Sequence, residues 1–283
     1  MFRGTQRRSG RAAACGVALL VGCVAAVPAA RAADTQHSGP APVLLELFTS
    51  EGCSSCPPVD VWAERLDHFQ PVAGAEIIVL SEHVNYWDHD GWKDPFSSDQ
   101  LTERQSEYER MLGQGGVYTP QVILNGADVV NMANSAQQIK QTFDKAASLA
   151  TVPVRISGVA LAAGDPGSLT GRVAVDATAE KHGGDVWVAV ALNRTMTDVL
   201  AGENDGRKLT NVAVVKDLVK VGKLEKGKSF EDPFTIKLWP GADAANLRVV
   251  AFVQQSEEGH VLGAAMTSEI GRGAGNQRAA ATH

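Results

Sequence analysis

The sequence contains few cysteines, and half of them lie near its N-terminus. Only four occur in 283 residues, and Cys15 and Cys23 fall in an N-terminal segment that we expect to be removed. The remaining Cys53 and Cys56 are too few for a fold held together by several disulfides. A bond between them would close so short a loop that it removes little chain entropy. Reactivity or metal binding therefore explains this pair better than stability does.

No stretch of the sequence is apolar for long enough to be a typical membrane span. The apolar run "AAACGVALLVGCVAAV" follows an arginine-rich start and precedes the small-x-small sequence Ala30-Arg31-Ala32. This order is typical of a secretory signal peptide, here residues 1–32, so we expect a periplasmic or secreted protein that begins at Ala33. Two alternatives remain open: a lipoprotein acylated at Cys23 of "LVGC", and a retained anchor.

An excess of basic residues is also missing. The formal net charge is −6, and removal of residues 1–32, which contain five arginines and no acidic residue, lowers it to −11. An acidic chain argues against a nucleic-acid partner and against binding to anionic membranes. We therefore expect no contact with nucleic acid, and no membrane attachment unless Cys23 is lipidated.

The first half of the remaining chain alternates between strand and helix patterns. The apolar runs "VLLELF" (43–48) and "AEIIVLS" (75–81) indicate buried strands. Between them Val59, Trp62, Leu66 and Phe69 recur at helical spacing until Pro71 ends the pattern. Helical composition returns over 99–112 and 134–149. This order predicts an α/β domain over residues 43–150.

The pattern changes from Thr151 onwards. Short apolar or alternating segments separated by Gly, Asp and Pro predict an antiparallel all-β domain, sandwich-like, over residues 152–268. The segment "VAVVKDLVKVG" fits both the strand and the helix period. The Gly- and Ala-rich residues 271–283 are predicted to be a disordered tail.

The sequence "FTSEGCSSCPPVD" (48–60) follows the first strand and opens the next helix. Backbone N–H groups and the helix dipole at that position favour an anion, so Cys53 is predicted to be an exposed, nucleophilic thiolate. Cys56, near the helix cap and further towards the interior, would resolve the mixed disulfide. A soft metal such as Cu(I) on two thiolates, helped by His83 or His89, and a passive disulfide remain alternatives.

Two further segments are expected near these cysteines. "VYTP" (117–120) opens a strand that, if it runs antiparallel to the first two, places Thr119 and Pro120 beside the pair. The loop 82–98 leaves the carboxyl end of a parallel strand and is aimed at the same place. In this loop Trp87 and Trp92, with Asp88 and Asp94, are expected to line a substrate groove or to hold His83, itself a candidate substrate-binding residue, in place. The alternative is a packed Ω-loop whose tryptophans fill the seam between the domains.

"GCSSC" and "VYTP", in this order, resemble the thioredoxin-like superfamily over residues 43–150. More narrowly, "LLELFTSEGCSSCPPVD", "HVNYWDHDGWKDPFS", "VYTPQVILNG" and "GENDGRKLTNVAVV" are similar to the family of exported bacterial proteins called DUF1223. The resemblance implies a thioredoxin-like domain with a cis Thr119–Pro120 bond. Unlike thioredoxin, which has Gly-Pro between its cysteines, this chain has Ser54-Ser55 there.

The expected activity is thiol–disulfide exchange with protein or peptide thiols and a redox partner protein, without an organic cofactor. Thr119 and Pro120 would hold the substrate backbone, with Cys53 attacking and Cys56 resolving. The alternative is a non-catalytic module that binds a partner or a metal. Arg104 and Tyr108 are predicted to be surface or scaffold residues. The polar turn "GEN" (202–204), together with Arg207, is predicted to make hydrogen bonds between the domains rather than to carry chemistry.

Overall fold

Strands dominate the part of the chain that the structure, a computed structural model, describes: residues 39–149, 152–177 and 183–271. The predicted signal peptide and the tail beyond Gly271 lie outside these residues. Gly271 itself forms an isolated bridge with Ala160. None of the helices within the described ranges is long and apolar enough to cross a membrane.

The first half of the described chain carries all of its α-helices. Its elements are β1 (Ala41–Thr49), α1 (Pro57–Phe69), β2 (Ala75–His83), α2 (Asp99–Leu112), β3 (Gln121–Leu124), β4 (Asp128–Val129) and α3 (Ala136–Ser148). The strand and helix positions predicted for this half are confirmed. Each helix also has a local stop or start signal: Gln70 ends α1 in the left-handed conformation before Pro71, Ser98 caps α2, and Ser135 caps α3.

The second half consists of strands and short 3₁₀ turns. Its strands are β5 (Val154–Ala162), β6 (Asp165–Val175), β7 (Gly184–Asp198), β8 (Lys208–Leu224), β9 (Phe230–Lys237), β10 (Leu247–Gln254) and β11 (Val261–Thr267). The ambiguous "VAVVKDLVKVG" lies within β8, so the strand period prevails there. The prediction of antiparallel strand structure over this range is confirmed by the β7–β8, β10–β7 and β10–β11 pairs.

Strands from both halves form one eight-stranded mixed sheet in the order β11-β10-β7-β8-β2-β1-β3-β4. Next to β1, β2 runs parallel and β3 antiparallel, as predicted. The halves join where β2 and β8 pair in parallel, at Ser81 and Val214. A second sheet, β5-β6-β9, is antiparallel. The division into two domains stays a prediction, since the sheet continues across the expected boundary.

Alternating side chains of the strands face different layers. On β1, Val43, Leu45 and Leu47 pack against α1 and α3 in one apolar core. In the second half, the small sheet packs on β7 and β10, with Val188 and Phe234 in the same core. Each large apolar side chain that is fully buried in this way stabilises the fold by roughly 1.5–3 kcal/mol.

The opposite face of the large sheet buries a polar network under α2. The Arg104 guanidinium donates from Nε to Glu46 Oε1 at 2.6 Å and from Nη1 to Gln254 Oε1 at 3.2 Å. Tyr108 donates its hydroxyl to the other oxygen of Glu46. Burial, and next the charge of Glu46, raises the pKa of Glu82 well above its usual range. Arg104 and Tyr108 are therefore scaffold residues, and the surface alternative is wrong.

Candidate functional site

The two cysteines form a disulfide at the junction of β1 and α1. Cys53 and Cys56 have their Cα atoms 5.5 Å apart. Cys56 is the N-cap of α1, as expected, with prolines in the first turn. Its backbone is helical (φ −74°, ψ −43°), although a following proline disfavours that region. The reason is that its carbonyl already accepts the first helical hydrogen bonds, from Val59 N and Asp60 N.

Both cysteines are 0% exposed in this disulfide form. The sulfur of Cys53, predicted to be exposed as a thiolate, is therefore buried in the disulfide form, and the deeper position of Cys56 stays a prediction. Ser54 and Ser55, between the cysteines, are exposed, and the Ser55 hydroxyl lies 3.3 Å from Cys53 Sγ. Solvent therefore reaches the loop but not its sulfurs.

The cover over the cysteine loop is the turn Gly202–Asn204, which connects β7 to β8. The Asn204 side-chain amide donates to the carbonyl oxygens of Glu51 at 2.8 Å and Cys53 at 3.0 Å. The Glu203 carboxylate accepts from the Ser54 N–H at 2.9 Å. Arg207 donates to Asn204 Oδ1 at 2.9 Å. The hydrogen-bonding role predicted for this turn is thus confirmed, and its target is the cysteine loop.

This cover gives a first test. Asn204→Ala removes two hydrogen bonds to the cysteine loop, each worth about 1 kcal/mol. We expect dithiothreitol to reduce the disulfide roughly tenfold faster in this variant. The measurement is the rate of thiol appearance in the folded protein. Asn246→Ala is the matched control, because Asn246 also makes two bonds, with the Arg194 backbone, in a distant turn. Equal rates in both variants would contradict a covering role.

The predicted loop 82–98 does reach the cysteine loop. Trp87 donates its indole N–H to Thr119 Oγ1 at 2.7 Å. A Cβ on Gly52 would lie 3.0 Å from Trp87 Cβ, so glycine permits this close approach. Trp92 donates to Glu51 Oε2 at 3.1 Å. Both tryptophans are half-buried, so they pack on the site and keep part of their surface in solvent.

Thr119 and Pro120 lie at the same end of the sheet as the cysteine loop. In the antiparallel β1–β3 pair, Phe48 is opposite Gln121. Continuing this register places Pro120 beside Thr49, just before the cysteine loop. The Thr119–Pro120 peptide bond is cis, as predicted. Both residues are partly exposed, and Thr119 is tied to the loop through Trp87.

His83 is completely buried on the α1 side of the sheet. Its Nδ1 lies 2.7 Å from Asp94 Oδ2, so Asp94 holds His83 in place, which is one of the roles predicted for Asp94. Burial alone would lower the pKa of His83, but the Asp94 charge and hydrogen bond outweigh it and raise the pKa. His83 Nε2 has no hydrogen-bond partner among the described residues. In this form His83 has no surface with which to touch a substrate.

Two buried carboxyl groups next to His83 were not anticipated from the sequence. Asp60 accepts from the Thr49 hydroxyl at 2.7 Å, and burial raises its pKa to about 6. Glu51 accepts from Trp92, and burial followed by the nearby Asp94 charge raises its pKa. The available signal was spacing: Asp60 is four residues after Cys56, which places both on one face of the helix. The site therefore combines a disulfide with two buried acids whose pKa values are raised, that of Asp60 to about 6.

Among the described residues, no further ligands support the alternative of a metal site. The described residues contain no group of three or more His, Cys, Asp or Glu side chains arranged to hold a metal ion. His89 is exposed, and His83 is occupied by Asp94. Phe48 and Trp62, on either side of the cysteine loop in sequence, contribute to two apolar cores.

Solved structures support the overall fold. The chain is 28% identical to protein AGR_C_4864 from Agrobacterium tumefaciens, covering 86% of this chain and 99% of that one with a TM-score of 0.62. The sporulation control protein Spo0M from Bacillus subtilis (14% identity, TM-score 0.29) matches 44% of this chain and 49% of its own. A domain of the outer membrane lipoprotein Omp28 from Porphyromonas gingivalis (12%, 0.29) matches 44% and 99%. At such low TM-scores the last two carry no argument.

The sequence comparisons give a family but no activity. None of the curated proteins matches the chain. The family model described as "Protein of unknown function (DUF1223)" matches residues 44–254, which include the cysteine loop, the Thr119–Pro120 segment and the covering turn. This chain is therefore a member of the DUF1223 family.

Proposed function

We propose that this protein is an exported thiol–disulfide exchange protein that acts on protein or peptide thiols from a thioredoxin-like domain. The observation that carries the proposal is the Cys53–Cys56 disulfide at the first turn of α1. Its loop is too short for an effective entropic staple. Its position at a helix N-terminus stabilises the thiolate that exchange requires. The N-terminal order of arginines, apolar run and small-x-small site supports export.

The exchange balances without a cofactor. In the reducing direction the Cys53 thiolate attacks a substrate disulfide and forms a mixed disulfide, and the first substrate sulfur leaves as a thiolate. The Cys56 thiolate then attacks Cys53 Sγ, which releases the second substrate thiolate and regenerates the protein disulfide. Two electrons pass from the protein to the substrate, and the two thiol protons follow to the departing thiolates. The reverse sequence oxidises a substrate dithiol.

Asp60 is placed to assist the proton transfer of Cys56. It lies one helical turn further along α1 on the same face, and it is buried. With a pKa raised to about 6, chiefly by burial, it exchanges a proton close to neutral pH. It can therefore accept the Cys56 proton when this cysteine becomes a nucleophile, and return it when Cys56 leaves.

The substrate would lie between the cysteine loop and the Thr119–Pro120 segment. Pro120 has no backbone N–H, so the neighbouring polar groups are left free for a substrate strand. Trp87 fixes Thr119 by its hydrogen bond, and Trp92 fixes Glu51. His83 is buried and contacts Asp94, so it would support the substrate site through Asp94 without touching the substrate.

The proposal is tested with a matched pair of cysteine variants. Reduced wild-type protein should reduce a peptide disulfide, and Cys53→Ser should abolish the reaction because the nucleophile is gone. Cys56→Ser should accumulate a mixed disulfide on Cys53, since no thiol resolves it, and intact-protein mass spectrometry would detect it. A wild-type protein that folds, is reduced by dithiothreitol and yet exchanges with no peptide would overturn the proposal.

The complete burial of both sulfurs favours a second candidate, a non-catalytic module that binds a partner. In this case the covering turn would keep the disulfide permanently out of reach, and the surface around it would bind the partner. The cysteine variants separate the two candidates, because a binding module keeps its partner when either cysteine is replaced. A reactive Cys53 in the reduced protein favours exchange.

A further inference from the structure

A shallow groove with a cavity volume of about 610 Å³ starts at the cysteine loop and follows α1. We call it the arginine groove, and its main lining residues are Ser54, Pro57, Pro58, Trp62, Arg65 and Arg207. Ser54, which lies between the two cysteines in sequence, places one end of the groove at the exposed part of the cysteine loop. Its proline and tryptophan surfaces are apolar, and Val61 beside them is 44% exposed.

The two arginines that give the groove its name are exposed cations. Neither Arg65 nor Arg207 has a carboxylate oxygen within 4.0 Å among the described residues. The neighbouring acidic residues on α1 form ion pairs with other arginines: Glu64 pairs with Arg194, and Asp67 pairs with Arg248.

One acidic group does lie at the rim of the groove. Glu203 accepts the hydrogen bond of the Ser54 N–H. Hydrogen bonding with Ser54, first with its side chain and then with its backbone N–H, lowers the pKa of Glu203. Its carboxylate is therefore engaged with the loop backbone. Two arginines without a carboxylate partner beside the cysteine loop stand out in a chain whose formal net charge is −6. Such a patch attracts anions and accelerates their encounter with the surface around it.

We infer that the arginine groove selects the substrate: a cysteine-containing peptide segment with Asp or Glu side chains close to the cysteine. This inference rests on the proposed exchange activity. The substrate carboxylates would pair with Arg65 and Arg207, an apolar substrate side chain would lie on Trp62 and the prolines, and the substrate sulfur would meet the disulfide at the Ser54 end. Arginine forms two parallel hydrogen bonds with a carboxylate, which fixes orientation as well as affinity.

The experiment compares three peptides that share one sequence and one disulfide but carry two acidic, two neutral or two basic residues beside it. Each peptide is reduced by the full, pre-reduced protein, and the rate constants are measured at low and high salt. We expect the acidic peptide to react roughly tenfold faster than the neutral one at low salt, and the basic peptide to react more slowly. Salt should reduce this preference, because it screens charges in an exposed groove.

Variants assign the preference to the groove. Arg65→Glu should remove or invert the acidic-to-neutral rate ratio, and Arg207→Lys should keep most of it because the charge remains. Arg110→Glu, an exposed arginine on α2, is the matched control and should leave the ratio unchanged. A substitution that changes the reactivity of the cysteines in general alters the rates of the acidic and the neutral peptide alike. The acidic-to-neutral rate ratio therefore reports the charge preference alone.

The outcomes separate this inference from the proposed function. If no peptide reacts, the exchange activity fails, and the substrate preference fails with it. If all three peptides react at one rate, or if Arg65→Glu leaves the ratio unchanged, the exchange activity stands and the arginine groove is not its selector. A charge preference that Arg65→Glu abolishes and Arg110→Glu preserves supports the inference.

Discussion

Arg104→Met should lower the free energy of unfolding by about 3–5 kcal/mol, because it leaves a buried carboxylate without its cation. Arg104 donates to Glu46 and lies 3.5 Å from a Glu82 oxygen, and both glutamates are 0% exposed. Methionine fills much of the same volume but donates no hydrogen bond. Urea unfolding monitored by tryptophan fluorescence measures the loss.

Two companion variants show whether charge is the cause. Glu46→Gln added to Arg104→Met should recover part of the loss, because the unpaired charge disappears. Arg155→Met breaks an exposed pair with Asp176 and should cost at most about 1 kcal/mol. A loss of similar size in Arg104→Met and Arg155→Met would contradict the importance of the buried network.

Glu82 supplies a pH control for the same network. Its pKa in the folded protein is raised, first by burial and then by Glu46, so folding favours its protonated form. The contribution of Glu82 to the free energy of unfolding is therefore fully present below its unfolded pKa of 4.5 and is lost as pH rises through the folded pKa. Glu82→Gln, which resembles the neutral form, should flatten this part of the stability profile.

Asp60→Asn should raise the free energy of unfolding at pH 7–8 by up to about 3 kcal/mol, the equivalent of a shift of roughly two pKa units. Asp60 is buried, and its pKa is raised from 3.8 to about 6 in the folded protein, mainly by burial. Ionising it therefore costs more in the folded chain than in the unfolded one. Asparagine carries no charge and retains an oxygen that can accept from Thr49.

The sign of the pH dependence distinguishes this explanation from a packing effect. Below the unfolded pKa of 3.8, Asp60 is protonated in both the folded and the unfolded state, so the substitution should leave the free energy of unfolding unchanged. The gain should grow between that value and a pH of about 6, and stay constant above it. Thermal unfolding across this range measures it. Asp144→Asn, at an exposed pair with Lys140, is the control. A gain that persisted in acid would refute the ionisation argument.

Local features of the fold were predictable from the sequence. "GCSSCPP" predicted a loop followed by a helix because proline is favoured in a first helical turn, and Pro71 marked the end of that helix. The apolar runs of β1 and β2 predicted buried strands, whereas the segment of β8 fitted both the strand and the helix period. The successful predictions depend on signals that lie within a few residues of their effect.

Contacts between distant residues were not predictable in the same way. Glu46 stands in the apolar run "VLLELF", and nothing near it in sequence announces Arg104 or Gln254 as its surroundings. Likewise Asn204 donates to the Cys53 carbonyl oxygen, a contact that exists only after β7 and β8 have formed. Sequence patterns suggested that the turn at 202–204 makes hydrogen bonds, but they did not show that its target is the cysteine loop.

The single parallel contact between β2 and β8 has a consequence for how the chain is made. During synthesis β2 is complete long before its partner on that side emerges, so its outer backbone edge stays open in the interval. An open edge of apolar strand is a template for pairing with other chains. Ser81, near the end of β2, is the residue left without its partner Val214. In the nascent chain the cysteine loop likewise lacks its hydrogen bonds from Asn204 until the second half has folded.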